Sequence, residues 1–123
     1  MHPSALAFYE RTLAHLPALD VLEFGACNIN GSVRDVYTAK SWVGLDAVEG
    51  NGVDIVADAA TWADDSRYDI VICAEVFEHT PDWRQIIDNA YRHLVPGGMF
   101  VASCATANRP AHSAVDGGLL RHA

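Results

Sequence analysis

Positive charge is scarce in this chain: eight lysines and arginines stand against sixteen aspartates and glutamates, a formal net charge of −8 over 123 residues. So acidic a protein is repelled by a phosphate backbone unless a local basic patch overrides the total. None is present, because Arg84, Arg92 and His93 are interleaved with Asp82 and Asp88, and nucleic acid is disfavoured as a substrate. Cysteine is scarce too. Cys27, Cys73 and Cys104 are odd in number and widely spaced, which argues against a disulfide framework and for reduced thiols in a cytoplasm. With no short spacing such as C-x-x-C, and nothing to supply a fourth ligand beside Cys27, His79 and Cys104, no metal is expected. No apolar run approaches the roughly 18 residues of a membrane-spanning helix. Met1-His2-Pro3-Ser4 has no basic stretch leading into an apolar one, so no secretory signal is read.

What is present is a hydrophobic half, 50% of residues, enough to build the core of one domain. Ser4 can cap a first helix over residues 1–17, with Leu6, Tyr9, Leu13 and Leu16 on one face and Pro17 ending it. Asp20 to Phe24 reads as a strand buried on both faces. Gly25 to Ser32 is a loop, and Val33 to Lys40 a short helix at best. Trp42 to Leu45 is a second strand with Asp46 at its end. The turn Glu49-Gly50-Asn51-Gly52 leads to a third strand, Val53 to Ala57, ended by Asp58. Residues 60–67 are polar helix or loop, and Tyr68 to Ala74 is a fourth strand. A helix with Thr80 as cap and Pro81 in first position then presents Trp83, Ile86, Ile87, Ala90, Tyr91 and Leu94 on one face. Pro96-Gly97-Gly98 is expected to stop it, and Met99 to Cys104 to form a fifth strand. Helices between most strands predict an α/β fold: a Rossmann-like, doubly wound, mainly parallel sheet of about five strands. The core spans residues 18–104. Residues 105–123, with Pro110, Gly117 and Gly118, are expected to be loop, either mobile or folded over the site as a lid.

Right-handed crossovers put all strand ends on one edge, where ligands of open sheets bind. There Gly25, Asp46, Asp58, Ala59, Ala74 and Glu75 gather, with Glu23 just inside. A strand, a glycine and an acid about 20 residues later is how α/β folds hold an adenosine ribose. The glycines do not fit a dinucleotide, since Cys27 and Asn30 stand in the loop where G-x-G-x-x-G needs others, and there is no G-K-[ST] of a P-loop. Carboxylates instead suit a phosphate-free, cationic adenosine. Asp46 can accept from a ribose diol, Asp58 from an exocyclic amine, and Glu23 from an ammonium. S-adenosylmethionine has these parts.

The stretches V-L-E-F-G at 21–25, W-V-G-L-D at 42–46, D-I-V-A-D-A at 54–59, Y-D-I-V-I-C-A-E-V-F-E-H at 68–79 and L-V-P-G-G-M-F-V-A-S at 94–103 resemble the class I S-adenosylmethionine-dependent methyltransferases, particularly the branch labelled type 11. The resemblance implies that Glu23 and Gly25 hold the methionine end, Asp46 the ribose, and Asp58 and Ala59 the adenine. It implies that Ala74 and Glu75 line the pocket near the sulfonium. Two departures stand out. Cys27 replaces a common glycine, and residues 105–123 are too few for the helix and strand hairpin that follow strand five in the family. The expectation is a core lacking the C-terminal strands, with an edge for a partner or a second copy to cover.

Bland readings stand beside these. Asp58 could only cap the next segment, Asn28 and Asn30 could only shape the turn, and Glu23 needs a donor or a ligand because it is buried. His79 is either a general base, its ordinary pKa lying near neutrality, or a structural contact at the helix start. The leading function is methyl transfer to a small-molecule acceptor. The alternatives are a non-catalytic or partner-completed binding module and, less favoured, an NAD-dependent oxidoreductase.

Overall fold

The computed structural model describes residues 1–28 and 31–104; Ile29, Asn30 and the expected loop at 105–123 lie outside them. Five strands, β1 (Asp20–Phe24), β2 (Ser41–Asp46), β3 (Ile55–Val56), β4 (Tyr68–Ala74) and β5 (Leu94–Ser103), form one sheet in the order β3-β2-β1-β4-β5. Every pairing is parallel, as the alternation of strands with helices and loops predicts. Two helices, α1 (Pro3–Leu13) and α2 (Trp83–Arg92), cover opposite faces.

The period of two along each strand sorts the core. Val21, Ile70, Ile72 and Val101 pack with Tyr9 and Leu13 of α1. Leu22, Phe24, Val71, Cys73 and Ala102 pack with Ile86 and Ala90 of α2. Burial on both faces explains why β1 and β4 are mostly apolar, the exceptions being Asp20 and Glu23 in β1 and Asp69 in β4. Among the described residues no helix is long and apolar enough to cross a membrane.

Four expectations about element ends are corrected. Ser4 does not cap α1. His2 does, its Nδ1 accepting the Ser4 N–H at 3.1 Å, while Pro3 opens the helix with a φ already suited to it. α2 begins at Trp83, after a turn in which Thr80 Oγ1 accepts the Asp82 N–H at 3.0 Å. Pro96-Gly97-Gly98 does not stop α2, which ends at Arg92; the three residues form an irregularity inside β5. Pairing jumps from Tyr68↔Leu94 to Ile70↔Met99, so two positions along β4 face five along β5, with Gly97 at φ +81°. The third strand is only Ile55–Val56. Val53 closes the preceding turn through its N–H to the Gly50 carbonyl, and the Asp54 side chain turns back to β2.

Candidate active site

The sheet order reverses direction between β1 and β4, and a cavity of about 750 Å³ opens beyond the carboxyl ends of the strands there. Glu23, Gly25, Asp46, Asp58, Ala59, Ala74, Glu75 and His79 all line it. The residues singled out from sequence are thus brought together on one concave surface. With Glu78 and Asp82 the lining holds six carboxylates and, among the described residues, no lysine or arginine. No group of three or more His, Cys, Asp or Glu side chains among the described residues is arranged to hold a metal.

The loop after β1 is tied to the end of β2. The Gly25 and Ala26 N–H groups both donate to the Leu45 carbonyl, at 2.8 and 3.1 Å. Asp46 completes the tie, with Oδ2 accepting the Cys27 N–H at 3.0 Å and Oδ1 the Val48 N–H at 3.1 Å. Its carboxylate is therefore oriented before any ligand arrives, with acceptor capacity left on each oxygen. Asn28 does shape the turn, its Oδ1 accepting the Gly31 N–H at 2.9 Å. Asp58 does cap the next segment, its Oδ1 accepting the Ala60 N–H at 2.8 Å, and it lines the cavity as well. His79 is exposed at the end of a short 3-10 turn, Phe77–His79. Its backbone N–H donates to the Val76 carbonyl at 3.0 Å, and the residue lines the cavity.

Gly25 has φ +76°, and a Cβ added there would lie 2.3 Å from Val76 Cγ2. Side chains rarely adopt that backbone region, and here the β4 loop also fills the space. Gly25→Ala is expected to lower the melting temperature by several degrees and to weaken ligand binding, read by thermal unfolding with and without ligand.

Glu23 is almost fully buried. Trp42 Nε1–H donates to its Oε1 at 3.0 Å. Burial, the largest influence, raises its pKa to about 7; the Trp42 hydrogen bond and the charge of Arg34 oppose that rise, and Asp46 adds to it. Arg34 stacks on the Trp42 ring, with Cζ 5.3 Å from the centroid, and pairs with Asp54 at 3.0 Å. Asp54 Oδ2 also accepts the Gly44 N–H at 2.7 Å. The sequence reading gave Arg34, Trp42 and Asp54 no role: Trp42 and Asp54 lie inside the quoted stretches, Arg34 outside them, and nothing in residue type or spacing joins the three before the chain has folded.

Glu75 is the one non-glycine residue among those described with a left-handed backbone, φ +61°. Such strain costs on the order of 1–3 kcal/mol and persists only where the surroundings over-determine it. Burial pushes its carboxyl above the ordinary value, and Glu78 pushes it further.

A family model described as "Methyltransferase domain" matches residues 2–100. The chain belongs to that methyltransferase family. The class I resemblance and the Rossmann-like architecture are both borne out. Among curated relatives, the ubiquinone biosynthesis O-methyltransferase of Rickettsia akari (strain Hartford) is 29% identical over 118 residues, covering 87% of this chain and 47% of the relative. The enzyme of the same name from Psychrobacter cryohalolentis is 39% identical over 56 residues, covering 46% of this chain and 21% of the relative. The chain therefore spans about half the length, or less, of these methyltransferases. The N-methyltransferase NodS from Bradyrhizobium japonicum WM9, in complex with S-adenosylhomocysteine, superposes with TM-score 0.60 at 19% identity, over 80% of this chain and 58% of that one. The glycopeptide N-methyltransferase MtfA complexed with S-adenosylmethionine gives TM-score 0.61 at 18% identity, over 83% and 50%. These two establish the methyltransferase fold.

Proposed function

We propose that the cavity binds S-adenosylmethionine and that the protein transfers its methyl group to a small-molecule acceptor. The observation that carries this reading is the lining of six carboxylates without a lysine or arginine. Such a surface repels the pyrophosphate of a dinucleotide and attracts a cationic adenosine. Family membership and the S-adenosyl ligands of NodS and MtfA support it, and the O-methyltransferase relatives support an acceptor of small size.

In this reading Asp46 accepts from the ribose diol, Asp58 and Ala59 hold the adenine, and Glu23 with the Gly25 loop receives the ammonium. Ala74 and Glu75 face the sulfonium. The bound S-adenosylmethionine supplies an electrophilic methyl carbon. The chain's own part is alignment and exclusion of water. An acceptor that must lose a proton gives it to His79, the imidazole among the lining residues. Three cysteines that form no disulfide suit a cytoplasmic setting.

Isothermal titration with S-adenosylmethionine and S-adenosylhomocysteine tests this reading. Heat of binding from both, and none from NAD, is expected. Silence from both with folded protein rejects it. A second reading, in which another chain must first cover the sheet, rests on β5 lying at the edge of the described strands. It predicts binding without turnover until that chain is supplied.

A further inference from the structure

Tyr9 and Ser103 are fully buried, and neither lines the cavity. Both nevertheless lead to a residue that does. The Tyr9 and Ser103 hydroxyl oxygens are 2.8 Å apart, 94 positions apart in sequence. Ser103 Oγ–H donates onward to Glu75 Oε2 at 3.4 Å. The backbone reinforces the junction, since the Glu75 N–H donates to the Ser103 carbonyl at 2.8 Å.

Proton counting fixes the direction of this chain. A hydroxyl has one proton to give and a carboxylate has none. When Glu75 is ionised, the Ser103 proton points to Glu75, and the Tyr9 proton must then point to Ser103. Tyr9 keeps that proton, because burial pushes its phenol well above 10. The chain ends on a side chain whose own backbone is strained at φ +61°. That conformation needs outside support, and β5 and α1 provide it.

We infer that Tyr9 and Ser103 are positioning residues for Glu75, a buried two-hydroxyl chain that aims its carboxylate into the cavity and keeps it an acceptor for a cationic ligand. This rests on the S-adenosylmethionine reading only for the identity of the cation. Other groups also act on Glu75. Burial and Glu78 raise its pKa, while the Ser103 hydrogen bond, the amino group of Met1 and His79 lower it.

The first test needs no ligand. The Glu75 carboxyl carbon is followed by NMR through a pH titration of the full chain. Ser103→Ala removes a hydrogen bond to the charged form and is expected to raise the midpoint by about half to one pH unit. Ser103→Thr keeps the hydroxyl and restores the wild-type midpoint. Tyr9→Phe, which deletes a donor without emptying the core, shifts it the same way by less and serves if Ser103→Ala does not fold. An unmoved midpoint in folded Ser103→Ala or Tyr9→Phe, whatever their melting temperatures, overturns the inference.

The second test uses the ratio of Kd for S-adenosylhomocysteine to Kd for S-adenosylmethionine. Both ligands carry the ammonium and the diol, so contributions from Glu23 and Asp46 cancel, and the sulfonium charge remains. The ratio is expected to fall as pH falls and Glu75 takes up a proton, and to begin falling at higher pH in Ser103→Ala. The same pH-independent ratio in both proteins overturns the inference. Binding of neither ligand rejects the cofactor assignment instead, and the carboxyl titration still decides the role of Tyr9 and Ser103.

Discussion

Asp46→Ala is expected to weaken binding of S-adenosylmethionine by about 30- to 1,000-fold. Two effects add. A carboxylate accepting from a ribose diol forms charge-assisted bonds worth roughly 1.5–3 kcal/mol each, and a net loss of about 2–4 kcal/mol corresponds to that range in Kd. The same carboxylate holds the Cys27 and Val48 N–H groups. Its removal frees the loop that must close on the ligand, so ordering costs already met in the folded protein fall on binding. S-adenosylhomocysteine has the same diol and should lose the same factor. Asp46→Asn keeps one acceptor oxygen and should fall between. Isothermal titration measures all three proteins, with circular dichroism to confirm folding. Affinity within threefold of wild type would remove Asp46 from the ribose site.

Glu23→Gln should move stability and binding in opposite directions. The folded protein holds this carboxyl protonated up to about 7 against an ordinary 4.5. A carboxyl whose pKa is raised on folding binds more protons folded than unfolded between those values. Stability therefore falls as pH rises from about 4.5 to 7 and stays lower above. The penalty is on the order of 3 kcal/mol. Glutamine keeps an oxygen for Trp42 Nε1–H and carries no charge, so the variant should be more stable than wild type at pH 8 by an amount approaching that figure. At pH 4 the two should be nearly equal. Binding of S-adenosylmethionine at pH 8 should weaken at least tenfold if the buried charge waits for the ligand's ammonium. Urea unfolding at pH 4 and 8 supplies the first comparison, and titration calorimetry the second. A destabilised Glu23→Gln at pH 8 would mean that the charge is already compensated within the protein.

The sheet could be read from the sequence because strands buried on both faces are mostly apolar. Asp20–Phe24 and Tyr68–Ala74 were expected and found with the same ends. The cavity could be read for a related reason: parallel topology sends every strand end to one edge, so acids at strand ends converge without any distance being known. Boundaries set by single side chains were less accessible. Whether His2 or Ser4 caps α1 depends on which polar atom reaches one N–H. Pro96-Gly97-Gly98 looks like a helix stop, yet the extra positions are absorbed into the pairing with β4. Least accessible were long-range polar contacts such as Tyr9 with Ser103, or Asn89 Nδ2–H donating to the carbonyls of Ala59 and Trp62 at 2.9 and 2.7 Å. Nothing in residue type or spacing joins such positions before the chain has folded.

The irregularity in β5 also grades the strand mechanically. At its entry, Pro96 and Gly97 are exposed and out of register with β4, whereas from Met99 to Ser103 the pairing with β4 is continuous and the last three residues are buried. Opening from the entry end therefore breaks few contacts, and opening from the other end must first break the best-packed pairs in the strand. Ser103 therefore lies at the buried, regularly paired end of the strand, away from the glycines.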